Sequence, residues 1–525
     1  MTYRSRLPMA EQGFRKWIIV ITVVSAAVIE LIDTSIVNVA ISDMSASLGA
    51  TIEDVAWVIT SYAIANVIII PMTSFLGGLF GRRNYYVFSI LLFTASSFFC
   101  GNAHTLTELI FFRFMQGLGG GALLSTSQSI LFDTFSVAER PLASAIFGLG
   151  VVIGPTIGPT LGGWIVDNFT WPWIFFVNLP IGLTAAVLSW TYVKEPKDER
   201  KVGAIDWAGI ILLIIGISSL QYVLERGQTE DWFDSRTIVL LTATSIISLV
   251  LFVWRELTTD HPVVELHVLK SRTLAFCAIL TFIIGFGLFS SVFIIPLFAQ
   301  RLLGYDAMQT GLLLLPGAIV TMFVLPWVGK IQQKGMPPQL MIFLGFVLTA
   351  LYTWLLSRIS LEAGWWTFFG PLVIRGIGLP FCFIPITVLA VSGLSPRDIP
   401  QGVALNNMMR QLGGSFGIAI VNTYLAHRIG VNRIGLISHV SQYNFATQER
   451  INQLMHGFVA RGSSLVAAKQ QAIAAIAGMV TRQTMVKSYL DVFVFVTLFF
   501  VACLPLIVTI RQGKTKATAE MASAH

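Results

Sequence analysis

Charge is what this sequence lacks. Asp, Glu, Lys and Arg together make up 12% of its 525 residues, where a water-soluble domain carries about 25%. With 55% hydrophobic residues and a mean hydropathy of +0.76, the chain cannot hide its apolar surface inside a hydrated globule. Lipid must be its main solvent. Cysteine is scarce as well: Cys100, Cys277, Cys382 and Cys503 each fall in an apolar stretch without C-x-x-C spacing. That excludes a redox pair or thiolate metal site and leaves four reduced packing residues. The seven histidines, among them His104, His261, His427 and His456, make no H-E-x-x-H pattern, so a catalytic metal has no ligand set. There is no G-x-x-x-x-G-K-S/T phosphate loop and no paired nucleophile and base. Neither an enzyme nor a cofactor is expected, and any work must be driven by something other than ATP.

What is present is a series of apolar windows, each near the roughly 20 residues that a helix needs to cross a hydrocarbon core. They lie near 17–41, 55–76, 84–102, 106–130, 142–166 and 174–193, then 206–224 and 237–254, then 273–298, 311–331, 339–357, 366–392, 402–425 and 488–510. The first follows Arg4, Arg6, Arg15 and Lys16 but runs past signal-peptide length without a clear cleavage site, so it reads as an uncleaved span. Fourteen spans put both termini on one side. The tails and the loops after even-numbered spans hold 20 of the 34 Lys and Arg, whereas the short loops opposite hold only Arg226, Arg236, Arg301 and Arg358. Positive residues accumulate in short cytoplasmic loops, so both termini are expected in the cytoplasm. The net charge of +7 is thereby a topology signal, not a nucleic-acid footprint.

The charged stretch Lys194–Lys201 and the polar segment Arg255–Arg272 divide the spans into six, two and six. The expected parts are a six-helix bundle over 1–195, a two-helix linker over 196–270, a second bundle over 271–512 with a long external loop at 427–487, and a tail at 513–525. A weak internal repeat supports two parallel halves: Arg113, Gly117 and Gly119 in the fourth span answer to Arg375, Gly376 and Gly378 in the twelfth.

Each charge deep in a span costs about 2.5–3.5 kcal/mol on insertion scales and asks for a reason. Glu30 and Asp33 are three apart in the first span, hence on one helical face, with Asn38 farther along. Desolvation and like charge both disfavour their joint ionisation, which suits reversible proton binding; permanent pairing with an arginine is the alternative. Arg113 and Gln116 lie in the fourth span, and either acid is a partner for Arg113, in a working ion pair or a static bridge. Arg375 and Arg410 in the second half have no acid in neighbouring spans. Asn38, Asn66, Gln116, Gln128, Gln300, Asn406 and Arg410 are candidates to line a cavity for amphipathic molecules.

The fifth span carries Gly150, Gly154, Pro155, Gly158, Pro159, Gly162 and Gly163. Glycines four apart allow a neighbouring backbone close, and each proline removes a donor, so a bent, tightly packed helix is expected.

These residues together resemble the major facilitator superfamily, in particular its fourteen-span drug:proton antiporters of the EmrB/QacA type, from about Arg15 to Arg511. Leu31 to Ala40 is similar to that family's first-span motif, which implies that Asp33 is the protonatable acid. Trp57 to Tyr62 and Trp173 to Gly182 also fit. Arg113, Gln116, Gly117 and Gly119 resemble the fourth-span motif tied to proton coupling, and Gly154 to Gly163 the motif that marks exporters. The chain departs from the pattern at Ser74 and Gly78, where the loop after the second span lacks its usual glycine and acid. Gating there rests on Arg82 and Arg83 finding other partners. Ser42 replaces a proline, and Glu30 is an addition.

The resemblance implies an all-helical major facilitator fold and a proton-coupled multidrug exporter of the bacterial inner membrane, driven by the proton gradient. The alternative within transport is a proton-coupled uptake symporter; a membrane enzyme or receptor finds no support. The external segment, polar and basic but interrupted by stretches such as Ala467 to Met479 that suit helix, either docks a periplasmic membrane-fusion adaptor leading to an outer-membrane channel, as the resemblance implies, or caps the exit.

Overall fold

In a bilayer core no water satisfies backbone N–H and C=O groups, so an apolar chain has to close its hydrogen bonds within itself. The computed structural model, which describes residues 13–195, 205–360, 362–441 and 443–508, is accordingly helical, with no strand among the described residues. Its main helices are α1 (Phe14–Ile36), α2 (Trp57–Phe80), α3 (Arg82–Gly101), α4 (Leu106–Thr134), α5 (Arg140–Asn168) and α6 (Asn178–Tyr192). Then come α7 (Trp207–Arg226) and α8 (Arg236–Thr258), followed by α9 (Arg272–Leu302), α10 (Ala307–Gln333), α11 (Pro338–Leu356), α12 (Trp365–Ser392), α13 (Ile399–Ile437), α14 (Phe445–Ala460) and α15 (Leu465–Val508). Polar side chains cap several starts: Thr105 Oγ1 accepts from Glu108 N (3.3 Å), Asp206 Oδ1 from Gly209 N (3.1 Å) and Asp306 Oδ1 from Gln309 N (2.6 Å).

All fourteen windows fall in helices. Among the described residues, 12 helices are long and apolar enough to cross a membrane by composition alone. The two windows that fall short are α4 and α13. Their polar residues explain it: Arg113, Gln116 and Gln128 in α4, and Asn406, Asn407 and Arg410 in α13, are all buried against protein. The basic residues Arg4 and Arg6, most of the 194–201 charge run with its 195/196 domain boundary, and the 513–525 tail lie outside the described residues.

The two six-helix sets repeat each other's packing. In the first, α2 and α3 pack on α4, α1 on α4, α5 and α6, and α3 on α6. In the second, α10 and α11 pack on α12, α9 on α12, α13 and α15, and α11 on α15. Across the seam α5 meets α10, and α2 meets α13, again a matched pair. α7 lies against both α2 and α13, and α8 packs on α7 with an apolar outer face.

At the end where α1 begins, one hydrophobic cluster joins Ile19, Val23, Phe132 and Phe147 of the first set to Leu325, Val328 and Phe383 of the second. The bundles are sealed together there. At the opposite end, which we term the far face, Val37, Val58, Leu109 and Ile174 form a cluster within the first set alone.

The segment expected as a loop at 427–487 is largely helix. α13 has 39 residues and α15 has 44, so at 1.5 Å per residue they measure about 58 and 66 Å, roughly twice a hydrocarbon core. With α14 packed on α15, they extend past the far face as a helical protrusion. Its Ala-rich stretch from Ala467 to Ala477 supplies the helix propensity.

Candidate functional site

Two features bring side chains to Asp33. Gly154 faces Leu31, Gly158 faces Ser35 and Gly162 faces Ile36; a Cβ on any of the three would overlap α1, which fixes α1 hard against α5. Gly163 is buried beside them, and the helix is continuous through Pro155 and Pro159. The second feature is a break. The sixth span starts as one turn, Trp173–Phe176, and restarts as α6 at Asn178, with Pro180 in the first turn, where no N–H is required. That break turns Asn178 inward.

The Asp33 carboxylate is fully enclosed. Its Oδ2 accepts from Arg113 Nη1 at 2.5 Å, and its Oδ1 accepts from Gln116 Nε2 at 2.9 Å and Asn178 Nδ2 at 2.8 Å. Both residues are essentially inaccessible, at 0% and 1% exposure. Arg113 also donates through Nε to the Val58 carbonyl (3.1 Å) and through Nη1 to Gln116 Oε1 (2.8 Å), and its guanidinium stacks 4.2 Å from the Tyr62 ring centroid. Ser97 Oγ accepts from Gln116 (3.2 Å) and Asn178 (3.1 Å) and donates to the Phe175 carbonyl (2.8 Å). Removing one member of such a buried pair strands the other charge, at a cost of about 3–5 kcal/mol.

Glu30 sits otherwise. Its Oε1 accepts from Asn66 Nδ2 (2.9 Å) and Tyr62 O–H (3.4 Å), but its Oε2 is buried with no hydrogen-bond partner. Gly120 of α4 leaves the room for this cluster: a Cβ there would lie 2.5 Å from the Tyr62 hydroxyl. Across the seam Arg410, in α13, interacts electrostatically with Glu30 and lies 5.8 Å from the Phe383 ring. One turn earlier, Asn407 donates to Gln128 Oε1 (2.9 Å) and Ser125 Oγ (3.3 Å), and its own Oδ1 is buried without a partner. Among the described residues, Glu30 Oε2 and Asn407 Oδ1 are thus buried acceptors at the seam with no hydrogen bond from a protein donor.

Other candidates lie elsewhere. Asn406 Oδ1 accepts from Thr281 (2.7 Å) inside the second bundle. Asn38 is exposed and donates to its own helix, at Thr34 and Ser35 carbonyls (3.4 Å each), and Gln300 is exposed near the end of α9. Arg82 pairs with Asp133 at the end of α4, and Arg83 lies 4.7 Å from the Trp190 ring. Asn178, Ser97, Tyr62 and Asn407 were missed by sequence reasoning. The available signals were the motif resemblance of Trp57–Tyr62 and Trp173–Gly182, which contain Tyr62 and Asn178, and the Asn–Leu–Pro step inside an apolar run. No cluster of three or more His, Cys, Asp or Glu able to hold a metal occurs among the described residues.

Two helical bundles related by repeated packing, with an ion pair enclosed in the first and a buried polar seam between them, have the build of a two-bundle membrane transporter. The profile of the Major Facilitator Superfamily matches residues 23–418, and the chain belongs to that family. It is 32% identical over 487 residues to the multidrug export protein EmrB of Escherichia coli strain K12, covering 92% of this chain and 93% of that protein. It is 30% identical over 483 residues to the fatty acid resistance protein FarB of Neisseria gonorrhoeae, with 92% and 93% covered. Among solved structures, the human organic anion transporter MFSD10 superposes with a TM-score of 0.57 at 12% identity, over 93% of this chain and all of that one, a likeness of fold.

Proposed function

We propose that the chain is a proton-coupled multidrug exporter of the bacterial inner membrane, working by alternating access. The observation that carries this reading is the enclosed Asp33–Arg113 pair beside a separate buried polar seam that brings Glu30 and Asn407 between the bundles. The kinship with EmrB and FarB gives the direction and the substrate class. α4 and α13 cross the bilayer with the other twelve, both termini are cytoplasmic, and α7 and α8 form the linker between bundles at about 1–195 and 271–512.

In this reading Asp33 takes the proton. Protonation removes the charge that Arg113 neutralises, and Arg113 falls back on the Val58 carbonyl, Gln116 Oε1 and the Tyr62 ring. That rearrangement on α4 reaches the seam through Tyr62, which touches both Arg113 and Glu30. Glu30 Oε2 and Asn407 Oδ1 accept hydrogen bonds from an amphipathic substrate, and Glu30 favours a cationic one. A potential of about 100 mV supplies roughly 2.3 kcal/mol per proton and half a pH unit about 0.7, enough for roughly a hundredfold gradient of a neutral substrate. No cofactor is required. The far-face protrusion docks a periplasmic adaptor that leads to an outer-membrane channel.

The test is drug-driven proton movement in proteoliposomes. The protein is expected to move protons against drug under an imposed gradient, and Asp33→Asn to stop this while remaining folded. Undiminished proton movement in Asp33→Asn overturns the assignment of Asp33. Substrate entering with the proton instead makes the protein an uptake symporter.

A further inference from the structure

The two-helix linker does more at the far face than join the bundles. The last turn of α7 is anchored on the first bundle: Arg226 Nη2 donates to the Glu53 carbonyl at 3.0 Å, its guanidinium lies 5.1 Å from the Trp57 ring, and the Tyr222 ring lies 5.5 Å from the same indole. Six residues later the turn reaches the second bundle. Trp232 Nε1 donates to Thr423 Oγ1 of α13 at 3.0 Å and to Gln228 Oε1 at 3.3 Å. The turn therefore straddles the seam where α2 meets α13.

Its construction is not that of a slack connection. Asp231 and Trp232 both hold left-handed backbone, with φ of 55° and 51°, a conformation that non-glycine residues adopt only when their surroundings impose it. Here the Trp232 N–H donates to the Gly227 carbonyl at 2.7 Å, and the indole lies so close over Gly227 that a Cβ there would be 2.6 Å from the ring. Glu230 completes the turn, accepting from the Tyr222 hydroxyl at 2.6 Å and from Ser235 Oγ at 3.3 Å. Several contacts thus hold the turn on the first bundle and on itself, against one hydrogen bond to the second.

We infer that the 227–235 turn is a latch on the far-face gate, with Trp232 as the hook and Thr423 as the catch, so that the linker sets how readily the α2–α13 seam parts there. This rests on the alternating-access reading above, but its test reads the seam directly. Hydrogen–deuterium exchange is measured on the full-length protein in lipid nanodiscs for wild type, Trp232→Phe, Thr423→Val and the double variant. Trp232→Phe keeps an aromatic ring but removes the Nε1 donor with its five-membered ring, losing the Gln228 bond as well; Thr423→Val removes the Thr423 acceptor alone and approaches the same bond from the other helix. Loss of the Trp232–Thr423 hydrogen bond is expected to raise exchange about fivefold at the far-face ends of both α2 and α13 in Thr423→Val and at least as much in Trp232→Phe, with no further rise in the double over Trp232→Phe. Unchanged exchange at residues 419–426, a rise confined to the turn itself, or additive effects in the double variant overturn the latch. Drug transport by the wild type in the same preparation reads the underlying function separately: transport without an exchange response rejects the latch alone, and an exchange response without transport rejects the exporter reading alone.

Discussion

Asp33 and Asn178 stand 145 positions apart in the chain and 2.8 Å apart in space. The amide of Asn178 and that of Gln116 share one carboxylate oxygen, while Arg113 takes the other, so the most costly group in the first bundle has every direction filled. Replacing Asn178 with the nearly isosteric leucine removes a hydrogen bond to a charged acceptor, worth about 1.5–3 kcal/mol. Thermal unfolding of the purified protein in detergent is expected to shift down accordingly. An unchanged midpoint means that the Asp33 oxygen finds water or another donor.

Arg113→Lys tests geometry against charge. A lysine keeps the ion pair but cannot also reach the Val58 carbonyl and Gln116 while stacking on Tyr62. Coupled transport is expected to fall at least tenfold although the protein folds. Full activity would reduce Arg113 to a point charge.

Glu30→Gln separates substrate charge from proton coupling. With Oε2 the unfilled acceptor, the amide should weaken transport of an amphipathic cation by tenfold or more, as expected for loss of a charged hydrogen bond of about 1.5–3 kcal/mol. An uncharged amphipathic compound should be little affected. Equal loss for both compounds, measured as kcat/KM in vesicles, places Glu30 in proton coupling instead.

Gly158→Val drives a side chain into Ser35 on α1, and overpacking of this kind costs about 1–3 kcal/mol. Gly478→Ala is the control: it faces open space in α15 and should stabilise slightly through helix propensity. Thermal unfolding of the two variants side by side reads the difference. If both behave alike, the α1–α5 contact is looser than its geometry.

Much of this molecule was legible because lipid leaves an apolar chain few options. Window length and the six-two-six spacing locate every long helix, and the cost of burying charge singles out Asp33, Glu30 and Arg113. Neutral polar residues carry no such alarm. Ser97, Asn178 and Asn407 look like ordinary interruptions of apolar runs, and only the fold shows that Asn178 donates to the Asp33 carboxylate, that Ser97 accepts from the two amides bound there, and that Asn407 crosses the seam. Arg82 had no acid in its own loop; the partner, Asp133, comes from the end of α4, 51 positions away. The 427–487 segment was legible in part: its charges mark it as outside the bilayer and Ala467 to Met479 suits helix, but nothing in the sequence joins that stretch to the last span as one helix.

That protrusion is continuous with the machinery beneath it. α13 carries Asn407 and Arg410 at the seam and Thr423 under the linker's turn, and the same unbroken helix runs on to Ile437. A rigid rod pivoting near its middle magnifies small rotations: at 1.5 Å per residue, a tilt of about 10° sweeps a tip 30 Å away through roughly 5 Å. In the proposed cycle, whatever grips the outer end of α13 feels each turnover as a mechanical stroke, and by holding that end still it acts as a brake.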